Sequence, residues 1–221
     1  FNDYKDTYND YIQYKEQNSA MRKAKKIIKD FNGDTHKTVL FLSYKAENWN
    51  TMDNIYKKYC QEKDIKVIVQ CVPYYYKNID GTFEKYIDGG MYPEYVTITP
   101  IEDYNYVNEN PDVIVFQYPY DNYNSAGTTD PVFYSYNLAS HTQKLIYIPY
   151  FRTDEIDEND MRAYTNMDAY VTMPGVVYAD KVIVQSEEIR KLYIKKLTDF
   201  FGEESEDEWE DKIEAEDIGG I

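Results

Sequence analysis

Apolar residues along the chain gather into short β-branched runs, and each run stops at a polar turn. TVLFLS ends at Tyr44-Lys45, KVIVQCV at Pro73-Tyr74, DVIVFQY at Pro119-Tyr120 and KLIYI at Pro149-Tyr150, while KVIVQ ends at Ser186 and leads straight into helical sequence. Continuous apolar runs suit strands covered on both faces, and helical stretches between them mark parallel strands joined by crossovers. The pattern predicts strands at about 38–43, 66–72, 112–118, 144–148 and 181–185, with a short one at 95–99. Helices are expected at 50–62 after Asn50 or Thr51 as N-cap, at 131–141 opened by Pro131, around 158–170, and at 187–201 before Gly202. The fold class that follows is α/β, a Rossmann-like three-layer domain over 34–202 with a mainly parallel sheet.

The flanks read differently. Residues 1–33 form a helical arm with two apolar stripes, Tyr4, Tyr8, Tyr11 and Ile12, then Met21, Ala24, Ile27, Ile28 and Phe31. Between them lies the basic cluster Arg22, Lys23, Lys25 and Lys26, read as a solvated helix face, with peripheral contact to anionic lipid as the other reading. Asn32-Gly33-Asp34 is a helix stop. Residues 73–94 read as irregular, with turns at Asp80-Gly81 and Gly89-Gly90, and 119–130 as a polar loop. Residues 203–221 read as an acidic tail, disordered or linking.

Charge and composition narrow the chemistry. The net charge is −16, and ten acids against one lysine fall between Glu203 and Asp217. Neither that segment nor the rest carries the basic footprint that nucleic acid needs, so no nucleic-acid partner is expected. Two cysteines, Cys60 and Cys71, make no disulfide framework and point to a reducing cytoplasm. His36 and His141 form no metal-spaced pair, so no metal is expected; His141 reads as a helix-end histidine. The glycines form neither a dinucleotide fingerprint nor a P-loop, so no cofactor is expected, and no nucleophile elbow appears.

Candidate site residues therefore come from strand ends. With strand order 3-2-1-4-5-6, the order reverses between the first strand and that at 112–118, where open α/β sheets bind ligands. This sets the 43–49 loop, with Lys45, Asn48 and Trp49, opposite the 117–124 loop, with Gln117, Tyr120, Asp121 and Asn124. Tyr74, Tyr150 and Ser186 occupy the corresponding ends of other strands. Lys45 suits a phosphate as a point charge, the plainer reading being an exposed lysine ahead of a helix. Trp49 and Tyr120 offer flat faces to a sugar or polyol, or serve as packing residues. Asp121 is the candidate general base, though Asp is also a turn former. Ser186 is a ligand residue or the cap of the following helix.

Several segments taken together look familiar. VLFLSYKAENWNTMDNIYKKY, VPYYYKNIDGTF, YPEYV, PDVIVFQYPYDNYN, KLIYIPYF and ADKVIVQSEEIRKLYIKKL resemble, in order and spacing over about 37–201, bacterial CDP-glycerol glycerophosphotransferase-like proteins. These are similar to two-lobed (GT-B) transferases of surface-polymer synthesis. The resemblance implies an acceptor-side N-terminal lobe, a polyol-phosphate or glycan acceptor of the teichoic acid kind, and a nucleotide-activated donor held by a second lobe. It also implies a cytoplasmic setting, peripheral to the inner membrane face. This sequence departs from the pattern in ending through an acidic segment instead of a second lobe. The alternative is a non-catalytic glycan- or protein-binding module.

Overall fold

The computed structural model describes residues 8–31, 36–86, 90–154, 156 and 160–219. Tyr4, the 32–34 stop, Gly89 and the start of the 158–170 helix lie outside them. Helix α1 (Tyr8–Phe31) precedes β1 (Lys37–Ser43), α2 (Asn50–Gln61) and β2 (Ile65–Cys71). A hairpin follows, β3 (Tyr74–Lys77) and β4 (Phe83–Tyr86), then the short α3 (Tyr106–Glu109), β5 (Val113–Phe116), β6 (Gly127–Thr129), α4 (Ser135–Ser140) and β7 (Lys144–Tyr147). Three short helices, α5 (Met161–Asn166), α6 (Asp168–Val171) and α7 (Pro174–Tyr178), lead to β8 (Lys181–Val184) and α8 (Glu187–Phe201). The described chain closes with α9 (Glu206–Lys212) and β9 (Ile213–Ala215).

Six strands form a parallel sheet in the order β2-β1-β5-β7-β8-β9. The chain is thus α/β and Rossmann-like, with strand order reversing between β1 and β5 as expected. Strand periodicity divides the core. Leu40, Leu42, Ile114, Phe116, Leu145 and Tyr147 face one layer with α4, α7 and α8. Their neighbours Val39, Phe41, Val115 and Ile146 face the other, against Trp49, Met52, Ile55 and Tyr56 of α2 and its entry. Both faces are covered, which explains why the runs read as continuously apolar.

The structure differs from the sequence expectations at five places. The 95–99 strand is reduced to one bridge, Val69 to Ile98, beside β2, because Pro93 and Pro100 bracket a segment too short to pair further. Residues 73–94 hold the β3–β4 hairpin, which with β6 from the expected polar loop builds a small antiparallel sheet, β4-β3-β6. The 131–141 helix breaks into a 3-10 turn at Pro131–Phe133 and α4. Trp49, not Asn50 or Thr51, occupies the N-cap position of α2.

The fifth difference joins the two flanks. The 203–221 segment is no linker where described: Trp209 and Ile213 are fully buried and β9 extends the sheet. In α1 the first stripe docks, with Tyr11 buried, whereas Ile27, Ile28 and Phe31 of the second are exposed. The basic face docks in their place. Arg22 donates to the Ala139 carbonyl at 3.0 Å and pairs with Asp180 at 2.7 Å, and Lys25 donates to the Ser140 carbonyl at 2.7 Å. Those carbonyls end α4 without intrahelical partners, so cations are drawn to them, and Arg22 and Lys25 are not a solvated face. Among the described residues no helix is long and apolar enough to cross a membrane.

Candidate functional site

Beyond the carboxyl ends of β1 and β5 the two loops meet as the topology requires. Gln117, fully buried, is their brace. Its Oε1 accepts the Tyr44 backbone N–H at 3.0 Å, and its Nε2 donates to the Asn48 carbonyl and to Thr51 Oγ1, both at 2.9 Å. Both ends of the amide are satisfied, so Gln117 shapes the floor of the site and has no capacity left for a ligand. Asn48 takes part through its backbone only in these contacts.

Above this floor stands a wall of phenol rings. Tyr44 lies 4.9 Å from Tyr74, 5.1 Å from Tyr118 and 4.9 Å from Tyr150 between ring centres. Tyr74 continues to Tyr86 at 5.0 Å and Tyr76 at 5.3 Å, while Tyr118 continues to Tyr120 at 5.2 Å. The Lys45 ammonium sits 5.4 Å from the centres of both Tyr44 and Tyr74, within cation–π range, and 3.6 Å from Glu47. Lys45, Tyr120 and Tyr150 are therefore brought together at half-buried positions, whereas Tyr74, as buried as Trp49 at 2% exposure, backs them from the core side. Burial pushes the phenol pKa values of Tyr44, Tyr74, Tyr118 and Tyr120 upward, reinforced by the neighbouring phenols. Those four phenols are neutral hydroxyls, able to exchange hydrogen bonds and unsuited to acting as phenolate bases.

Other expected residues serve the fold. Trp49 is only 2% exposed, packs between Phe41 and Tyr56, and donates Nε1 to Asp53 at 3.1 Å, so it offers no open face to a sugar. Ser186 caps α8, accepting the Ile189 N–H at 3.2 Å. Asn124 accepts the Ala126 N–H at 2.8 Å within its own turn, and its carbonyl accepts from Lys77 at 2.7 Å. Asp121 sits in the left-handed region (φ 49°) and is 4% exposed. Its Oδ1 accepts both the Ser135 N–H at 2.9 Å and the Ser135 hydroxyl at 2.8 Å. Burial outweighs those bonds and raises its pKa to about 7. The pKa suits proton transfer, but the carboxylate is tied to the start of α4 and turned away from solvent.

Sequence reasoning missed Tyr76 and Tyr86 as members of the wall. The signal was present: in PYYYK, residues two apart share a strand face, so Tyr74 predicts Tyr76 once the segment is read as a strand. No group of metal-ligating side chains occurs among the described residues. Two cavities, one beside α1 and α9 and one beside the end of α1, lie away from this crevice. No family model, curated protein or solved structure matches the chain.

Proposed function

We propose that the chain is the acceptor-side lobe of a glycerophosphotransferase- or glycosyltransferase-like protein of bacterial surface-polymer synthesis. In this reading it holds a polyol-phosphate or glycan in the tyrosine crevice. The observation that carries the reading is the convergence of Lys45 with Tyr120 and Tyr150, linked through the Tyr44 ring, at the point where strand order reverses. Aromatic faces stack on sugar and polyol carbons, neutral phenols exchange hydrogen bonds with hydroxyls, and one ammonium answers a phosphate. The sequence resemblance to the CDP-glycerol glycerophosphotransferase-like family supports the substrate class.

The burial of Asp121 favours a second reading for this chain, a binding module without its own catalytic base. Calorimetric titration with a short poly(glycerol phosphate) tests the first step common to both. Lys45→Ala should weaken binding by roughly 1.5–3 kcal/mol, the range of a charge-assisted contact. Tyr120→Phe keeps the packing and should cost a smaller, separate amount. Unchanged affinity in Lys45→Ala would move the site away from this crevice. Release of CMP from CDP-glycerol by the protein in the presence of acceptor would favour the transferase over the module.

A further inference from the structure

We propose that the cavity closed by α1 over the amino-terminal edge of the sheet is a second binding site, for a small hydroxylated anion of the polyol-phosphate or sugar-phosphate class. The inference is independent of the crevice reading, because the cavity lies at the opposite end of the strands, beside Gln143 and Asp180, which precede β7 and β8. It encloses about 360 Å³, within the usual range for small-molecule pockets.

Three observations point to the ligand. The first is charge. Lys15, Arg22, Lys23 and Lys26 line the cavity against two carboxylates, Asp180 and Glu208, an excess of two positive charges before Lys212 is counted, in a chain of net −16. The second is how those charges are used. Glu208 is paired with Lys15 at 2.6 Å and Asp180 with Arg22 at 2.7 Å, which leaves Lys23 and Lys26, both exposed, without an ion pair among the described residues. Lys212 has only neutral partners at bonding distance, the Tyr11 hydroxyl at 2.7 Å and the Val177 carbonyl at 2.8 Å. The third is an unpaired group inside. Asn18 lines the cavity at 5% exposure, its Nδ2 donates to the Tyr14 hydroxyl at 3.3 Å, and its Oδ1 is buried with no partner among the described residues. Native structures rarely leave such an atom unsatisfied. Rotation of the Asn18 amide toward the cavity would let a ligand hydroxyl satisfy it, with the anionic end at Lys23 and Lys26.

The chain has two tryptophans, and they report on the two ends of the sheet. Trp209 packs against Tyr11 and Lys212 at the cavity, and Trp49 lies beneath the 43–49 loop. With 5-fluorotryptophan incorporated, fluorine NMR resolves one signal for each, assigned through Trp49→Phe. Glycerol 3-phosphate should shift the Trp209 signal saturably, inorganic phosphate should do so at least tenfold more weakly, and glycerol should have no effect. The double variant Lys23→Glu/Lys26→Glu alters exposed side chains only and should weaken glycerol 3-phosphate at least tenfold. Asn18→Leu should erase the preference over inorganic phosphate. A free metabolite and a lipid headgroup offer the same phosphate, so phosphatidylglycerol vesicles are titrated in parallel; a response to vesicles alone overturns the small-ligand assignment. An unmoved Trp209 signal, indifference to the lysine reversal, or loss of the Trp209 response in Lys45→Ala would each overturn the proposal. The last result would return the ligand to the crevice.

Discussion

Lys212 should make stability rise with pH across the neutral-to-alkaline range, and Lys212→Met should remove that dependence. The side chain is 3% exposed, between the Tyr11 ring at 4.7 Å and the Trp209 ring at 4.8 Å. Burial is the main cause lowering its pKa from 10.5 to about 7; Glu208 and Asp180 raise it, Lys15 lowers it further, and the burial prevails. Because the folded-state pKa is the lower one, the unfolded chain binds more protons between pH 7 and 10.5. Stability therefore increases through that window, and the penalty is fully present below pH 7. Each tenfold loss of proton affinity on folding costs about 1.4 kcal/mol, so the penalty is about 5 kcal/mol well below pH 7, about 4 kcal/mol at pH 7 and about 1 kcal/mol at about pH 9.5. Tyr11 acts in the opposite sense, since its pKa is raised by burial and by Glu208, but only above the ordinary phenol pKa of about 10.

Urea unfolding of both proteins from about pH 6 to about pH 9.5 provides the measurement. Methionine fills similar volume and leaves the Val177 carbonyl without its donor, an offset of roughly 1–3 kcal/mol that does not vary with pH. The variant should thus be more stable than the parent at pH 6–7, by roughly 2–4 kcal/mol. That advantage should fall by about 3 kcal/mol on going to pH 9.5. The slope carries the test, because groups that do not feel Lys212 cancel in the difference and Glu208, which does, has a lowered pKa and titrates below this window. Parallel stability curves would refute the reasoning and mean that Lys212 is charged at no unusual cost.

Asp121 predicts the complementary limb. Its folded pKa is raised from 3.8 to about 7, so its contribution is complete below pH 3.8 and is lost as pH rises through 7; Asp121→Asn should flatten that decline in thermal melts. Retention of the same slope in the variant would assign the decline to other groups. Gln117→Leu should destabilise by roughly 2–4 kcal/mol in denaturant titrations, because the Tyr44 N–H is left buried without its acceptor and the 43–51 loop loses its brace. A cost under about 1 kcal/mol would mean that the brace is dispensable.

The sheet was legible because β1, β2, β5, β7 and β8 are largely buried on both faces, unlike the edge strand β9 with its exposed Glu214. Such strands must be continuously apolar, and their turns must be polar, so five of the six parallel strands stood out. Ser186 and Gly202 bounded α8 by ordinary capping chemistry. What escaped had a physical reason in each case. Tyr74 to Lys77 carries its alternation in tyrosines and one lysine, which do not separate into apolar and polar positions. The site residues were legible as a neighbourhood, since topology alone fixes which loops meet. Their roles were not, since burial decides them: Trp49 and Gln117 face inward and belong to the core, while Tyr120 and Tyr150 remain half-buried at the crevice. In α1 the hydrophobic pattern misled, because the docking partner of its second half is a row of helix-end carbonyls that attracts cations.

The acidic segment shows the same principle in the opposite direction. Ten acids make its average strongly polar, yet Trp209, Ile213 and Ile218 are at most 1% exposed, and fully burying an apolar side chain is worth roughly 1.5–3 kcal/mol. The carboxylates lie around the edge of that contact, paired with Lys15, Lys58 and Lys181, and exposed pairs of this kind contribute roughly 0–1 kcal/mol each. Apolar burial therefore holds the segment, and the charges set where it docks. Its one lysine is buried while most of its acids face outward, which requires a neighbour able to receive the amine. Tyr11 of α1 does so, accepting from Lys212 and donating to Glu208 at 2.8 Å. The arm and the segment, some 200 residues apart in sequence, thus complete each other's burial. The cavity beside Lys212 exists only because both are in place.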